Sequence, residues 1–188
     1  FVIELMANTT DEIIAVNSGS APNIAFGRLT PDNVTGNSVT QWHGGNNLYF
    51  WDRAYEYILR INTFLEKMEE VTITLDNKDV LVAEARFLRG WIYFNMIERF
   101  GDVPLVTETY ELGSDHTFTS TPFDQVVAFI ETEFAAIMPT LPKYYSSSDS
   151  NFGRPTQAIC QAILSRMHLY AASPLFNPNN DKAKWEKA

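Results

Sequence analysis

Glu84-Ala85-Arg86-Phe87-Leu88-Arg89-Gly90-Trp91-Ile92-Tyr93-Phe94, running through Glu98-Arg99-Phe100 into Gly101-Asp102-Val103-Pro104-Leu105-Val106, is the stretch that decides the fold of this chain. Leu81, Ala85, Leu88, Ile92 and Met96 fall on one helical stripe, and Ala83, Phe87, Trp91, Phe94 and Ile97 on the next. Together they make an apolar arc too wide for a helix covered on one side only. The spacing therefore predicts a helix sandwiched between others. Gly101 follows the last periodic residue as a left-handed cap would, and Pro104 forbids continuation, so the helix is expected to end at Phe100.

Working outward, the same period recurs on both sides. Phe50, Ala54, Tyr57, Ile58, Ile61, Phe64, Leu65 and Met68 mark a first helix from about Asn46 to Glu70, and Asp76 or Asn77 is placed to cap the second, Asp79 to Phe100. Thr121-Pro122 offers a capping hydroxyl before a proline at the first helical position; Phe123, Val126, Val127, Phe129, Ile130, Phe134 and Ile137 carry a third helix to about Met138. Pro139 and Pro142 stop it. Thr156 caps a fourth, Ala158 to Ala172, which Ser173-Pro174 ends. The polar stretches Gly113–Thr121 and Lys143–Phe152 read as solvated loops, and Lys182–Ala188 as the first turns of another helix. Four helices with wide apolar faces and long loops predict an all-α fold of stacked antiparallel pairs, without a clean 34-residue repeat.

Composition narrows the function classes. The 188 residues are 45% hydrophobic and 13% aromatic, enough for one domain-sized core with no low-complexity segment. Fourteen basic against 23 acidic residues give a net charge of −9, which disfavours nucleic acid and anionic lipid surfaces as partners. One cysteine, Cys160, excludes an internal disulfide framework and a thiolate metal cluster. No apolar run is long enough to span a bilayer.

The central stretch resembles the SusD/RagB family, surface lipoproteins of Bacteroidota in which a helix reading roughly E-A-R-F-L-R-A-x-x-Y-F precedes a loop reading F-G-D-V-P-L-V; here Gly90 replaces the usual alanine. Gly153-Arg154-Pro155-Thr156, the helix it opens, and Ser173-Pro174-Leu175-Phe176-Asn177 repeat a second family pattern. Trp51, Tyr55, Ile58 and Asn62 are similar to a third, W-x-x-x-Y-x-x-I-x-x-x-N. The resemblance implies TPR-like helix pairs that carry binding loops. It also implies capture of oligosaccharides, or in some branches peptides, for a SusC-like TonB-dependent transporter, and lipid anchoring on the outer face of the outer membrane. Residues 1–188 would then be the N-terminal helical part of a SusD-like domain, with the lipid-bearing N-terminus and the C-terminal part lying outside them.

Standard catalytic and phosphate-binding motifs are absent, no cofactor is expected, and His43, His116 and His168 are too scattered to read as a metal site. His168 and Cys160, on an apolar helix, read as structural. The ligand site is placed instead in Gln41–Tyr49, where Trp42, His43, Asn46 and Tyr49 flank a diglycine: aromatic faces suit the C–H side of a sugar ring, and amides suit its hydroxyls. The competing reading has Trp42 and Tyr49 covering the first helix, with Asn46 or Asn47 as its N-cap. Arg86 and Arg89 are assigned to internal ion pairs or helix-to-loop hydrogen bonds in preference to anion binding. Two alternatives to a transport lipoprotein are a helical-repeat adaptor without nutrient binding, and a hydrolase whose active site lies elsewhere in a longer chain.

Overall fold

The computed structural model describes residues 51–72, 77–110, 113 and 117–188. The chain divides into two compact units, Phe1–Arg53 and Ala54–Ala188, and the architecture below is that of the second. It contains helices α1 (Trp51–Glu70), α2 (Lys78–Phe100), α3 (Phe123–Ile137), α4 (Gln157–Ala172) and the short α5 (Lys182–Lys187). Among the described residues no helix is long and apolar enough to cross a membrane.

The side-chain partners fix the helix directions. Phe87 stacks on Phe134 at 5.4 Å between ring centroids, while Tyr93, further along α2, meets Phe129, nearer the start of α3; α2 and α3 are therefore antiparallel. Glu84 pairs with Arg154 just before α4, and Phe94 meets Tyr170 near its end. Thus α4 runs parallel to α2, with α3 opposing both. The core they enclose takes Phe87, Tyr93, Phe94, Met96 and Ile97 from α2. It takes Val126, Ile130, Phe134 and Ile137 from α3, and Cys160, Ile163 and Met167 from α4. Burying each large side chain is worth about 1.5–3 kcal/mol relative to exposure. The expected sandwiching of α2 holds, although Leu88 and Trp91, assigned to its apolar arc, remain 46% and 38% exposed.

Helix ends follow local chemistry with two departures, the first at α2, where Asn77 holds the N-cap position without a side-chain capping bond and Asp76 lies outside the described residues. Gly101 has φ +69° and its N–H donates to the Ile97 carbonyl, ending α2 where expected. Thr156 Oγ1 accepts from the Ile159 N–H and caps α4. At α3, however, Pro122 lies one residue before the helix and Thr121 is not its cap. Thr121 instead pairs through its backbone with Val103 in an isolated antiparallel bridge, and its hydroxyl accepts from the Leu105 N–H. The cap is supplied from 21 residues upstream: Asp102 Oδ1 accepts the Phe123 N–H at 2.8 Å. A carboxylate satisfies an orphan N–H at a helix N-terminus and also complements its dipole, so it is the stronger partner.

Gly90 has a different role. A Cβ placed there would sit 2.5 Å from Cε1 of Phe134, whose ring is fully buried. The absence of a side chain is what lets the ring lie against the α2 backbone. Alanine would gain about 1 kcal/mol of helix propensity, but overpacking a buried ring costs about 1–3 kcal/mol. Gly90→Ala is accordingly expected to lower the urea midpoint of the intact protein, and Phe134→Leu in the same chain should recover part of the loss. A Gly90→Ala protein as stable as the parent would show that the ring moves aside freely.

Candidate functional site

The residues singled out as ligand contacts, Trp42, His43, Asn46 and Tyr49, lie outside the described residues. What the structure does describe is the framework beside them in sequence, and its centre is the segment 103–109 that follows α2.

Beyond Val103, whose peptide groups pair with the Thr121 backbone, this segment runs past α1 and α2 without regular secondary structure, so side chains must satisfy its peptide groups. Tyr93, fully buried on α2, does so twice: its Oη accepts the Val106 N–H at 2.7 Å and donates to the Val106 carbonyl at 3.0 Å. From α1, Tyr55 donates to the Pro104 carbonyl at 2.8 Å, and Asn62 Nδ2 to the carbonyls of Val106 and Glu108 at 3.2 and 3.1 Å. Burial pushes the Tyr93 phenol up to about 12, against the opposing pull of its Val106 bond and the Arg89 charge. Burial, with Tyr93 beside it, raises Tyr55 as well. Both phenols therefore keep the protons these bonds require across the physiological range.

Asn62 links this segment to a buried ion cluster. Its Oδ1 accepts from Arg89 Nη1 at 2.8 Å, and the same Nη1 reaches the Thr107 carbonyl at 3.3 Å. Arg89 Nη2 donates to Glu133 of α3 at 2.8 Å, and Arg86 grips that carboxylate through Nε and Nη2 at 3.2 and 2.7 Å. The ion-pair role expected for Arg86 and Arg89 is thus correct in kind, with Glu133 as the acid. Glu84 and Glu98 serve other arginines: Glu84 takes Arg154 Nε at 2.8 Å, and Glu98 pairs with Arg99 and Arg166. Beyond α4, Asn177 closes a turn, accepting from the Asp181 N–H at 2.7 Å and donating to the Asp181 carbonyl.

Above this cluster lies a cleft of about 810 Å³ between the C-terminal half of α1 and the N-terminal half of α2. Asn62, Arg89 and Glu133 form its buried floor; Glu66, Glu69, Asp79 and Glu108 stand exposed on its rim. The volume falls in the range of ligand pockets. Among the described residues its lining offers hydrogen-bonding and ionic groups and no aromatic ring.

The buried carboxylates Glu84 and Glu133 are each held by arginine, and no set of three or more His, Cys, Asp or Glu among the described residues is placed to hold a metal. His168 Nδ1 lies 3.4 Å from Glu131, which also pairs with Lys187. Cys160 is fully buried, and burial pushes its thiol up to about 11, leaving it protonated and inert.

Glu133 generates a prediction in two parts. Burial would raise its carboxyl, but the hydrogen bonds and charges of Arg86 and Arg89 prevail and hold it below the ordinary 4.5. Its stabilisation is therefore complete above about pH 4.5 and is lost as the pH falls through the depressed value. Glu133→Gln, which leaves two arginines facing a neutral amide, should cost about 3–5 kcal/mol at pH 7. The gap from the parent should narrow in acid unfolding curves below pH 4.5. A gap independent of pH would remove Glu133 from the acid response.

With this framework described, comparison with known proteins is direct. The profile of the SusD-like family, described as starch-binding and associating with the outer membrane, matches residues 8–169. SusD-like protein P2 of Formosa agariphila is 24% identical over 123 residues, covering 64% of this chain and 23% of that protein. Surface glycan-binding protein A from Bacteroides uniformis is 30% identical, with a TM-score of 0.58 over 73% of this chain and 29% of its own. A SusD superfamily protein from Parabacteroides distasonis, 20% identical, shares the fold with a TM-score of 0.70 across 99% of this chain and 36% of that one. The chain thus spans about a quarter to a third of the length of these relatives. With the profile covering most of its residues and an all-α architecture shared with SusD-like structures, the chain belongs to the SusD-like family.

Proposed function

We propose that this chain is part of a non-catalytic, lipid-anchored binding protein on the outer face of the outer membrane, which captures oligosaccharides and hands them to a SusC-like TonB-dependent transporter. The observation that carries the reading is the family match over residues 8–169, supported by the 30% identity to a protein described as surface glycan-binding. On this reading the helical unit is a scaffold, and the ligand is met by the loop containing Trp42, His43, Asn46 and Tyr49. The indole and phenol stack on sugar C–H faces while His43 and Asn46 bond hydroxyls. Residues 1–188 then form the N-terminal helical part of the mature protein. Ligand-dependent closure over the transporter follows if the ligand binds the closed state more tightly.

Two measurements test this. Affinity purification of the intact protein from outer membranes in mild detergent should recover a large TonB-dependent β-barrel in stoichiometric amount; recovery without one contradicts the transport role. In glycan-containing native gels, Trp42→Ala and Tyr49→Ala should each weaken retardation by roughly tenfold, as expected for losing a stacking contact worth about 1–1.5 kcal/mol. Undiminished retardation would move the ligand site away from this loop.

A further inference from the structure

We propose that Tyr110 and Phe118 form a second sugar contact, stacking on a neutral oligosaccharide separately from the contacts placed at Trp42. This rests on the oligosaccharide reading above. The two rings meet edge to face, with centroids 5.2 Å apart and planes at 76°, yet the residues stay 41% and 48% exposed. Every other ring pair among the described residues has at least one buried member. Burial stabilises those pairs; this one keeps apolar ring surface in water. The pair also stands on a fixed base. Tyr110 follows a segment in which the Glu108 carbonyl accepts from Asn62 and the Thr109 hydroxyl donates to Glu66. Phe118 lies three residues before Thr121, whose backbone pairs with Val103. Rings carried on anchored backbone lose little freedom when a ligand stacks on them.

Area and charge select the occupant. An aromatic side chain presents about 150–250 Å², so these exposures leave on the order of 200 Å² between the two rings. A stable protein interface needs about 800 Å² from each partner, whereas one or two sugar units cover a patch of the smaller size. Between Phe100 and Phe123 the sequence holds Asp102, Glu108, Glu111 and Asp115 and no lysine or arginine, which disfavours a sulfated or uronic-acid sugar. Thr117, Thr119 and Ser120, exposed on either side of Phe118, carry hydroxyls able to donate to and accept from those of a sugar. Rings for the C–H face and uncharged hydroxyls for its edge together fit a neutral saccharide.

The test runs the intact protein in native gels cast with starch, laminarin or galactomannan. In the gel that retards the parent most, Tyr110→Ala/Phe118→Ala should weaken retardation on the order of tenfold, the loss of a stacking contact. Tyr110→Leu/Phe118→Leu, which keeps apolar bulk on the loop and removes both rings, should lose it as well, at an unchanged melting temperature. Tyr144→Ala/Phe152→Ala, which removes two exposed aromatic residues elsewhere, should migrate like the parent. Full retardation of the leucine variant would overturn the contact, because ring faces would then be dispensable. A parent retarded in a way that Trp42→Ala weakens and both Tyr110/Phe118 variants preserve would overturn this contact and leave the oligosaccharide reading standing. A parent retarded by none of the three polysaccharides would overturn both.

Discussion

The structure depends on one constraint: the peptide groups of residues 103–109 lie against the helices without a strand or helix of their own to satisfy them. Tyr93 takes both polar groups of Val106, Tyr55 takes Pro104, and Asn62 takes Val106 and Glu108. Each side chain is fixed by its own helix, so the segment is held to α1 and α2 at once. Upstream, Gly101 turns the chain out of α2 and Asp102 caps α3; downstream, Thr121 returns to pair with Val103. The connection of residues 101–122 is thereby tied at both ends to the helices it joins.

The charged cluster beneath extends the tie to α3. A carboxylate shared by two arginines, one of them also bonded to Asn62 and Thr107, is satisfied in a way an isolated buried pair is not. Such clusters contribute little net stability over a hydrophobic replacement, but breaking one partner is expensive. Their effect is to make the register of α2 against α3 unique: sliding one helix by a turn would strand Glu133 in the core. The close approach at Gly90 and Phe134 enforces the same register sterically.

Much of this was legible in the sequence, and the rest was hidden for physical reasons. The ends of α2 and α4 followed from Gly101 and Thr156, because caps are local chemistry. The buried position of Cys160 followed from the apolar residues around it. Glu133 as the partner of Arg86 and Arg89 did not follow, since the pairing joins residues more than 40 apart. Its signal was a carboxylate on the stripe Val126, Ile130, Ile137, where a charge must find a counter-ion. Asp102 was likewise overlooked as a cap because Thr121 stood closer in sequence, yet that threonine is engaged by Val103 and Leu105. Two of the family motifs, read separately as signatures, meet in one network around the loop after α2. Asn62 of the first helix, Arg89 and Tyr93 of the second, and Val106 of the loop are joined by hydrogen bonds, Tyr55 of the first helix holds Pro104 of the same loop, and Arg154 of the Gly-Arg-Pro-Thr run anchors separately to Glu84. The binding residues placed in the Trp42 loop lie outside the described residues and remain a proposal.

The central claim is that side chains of α1 and α2 hold the 103–109 segment in place through its peptide groups. The most direct measurement is amide hydrogen exchange at Val106 in the intact protein, compared between the parent and Tyr93→Phe. The account predicts strong protection of the Val106 amide in the parent and loss of that protection in the variant, with the α2 amides still protected. Equal protection in both would mean that the segment is held by something other than the tyrosine hydroxyl, and the account would be wrong at its centre.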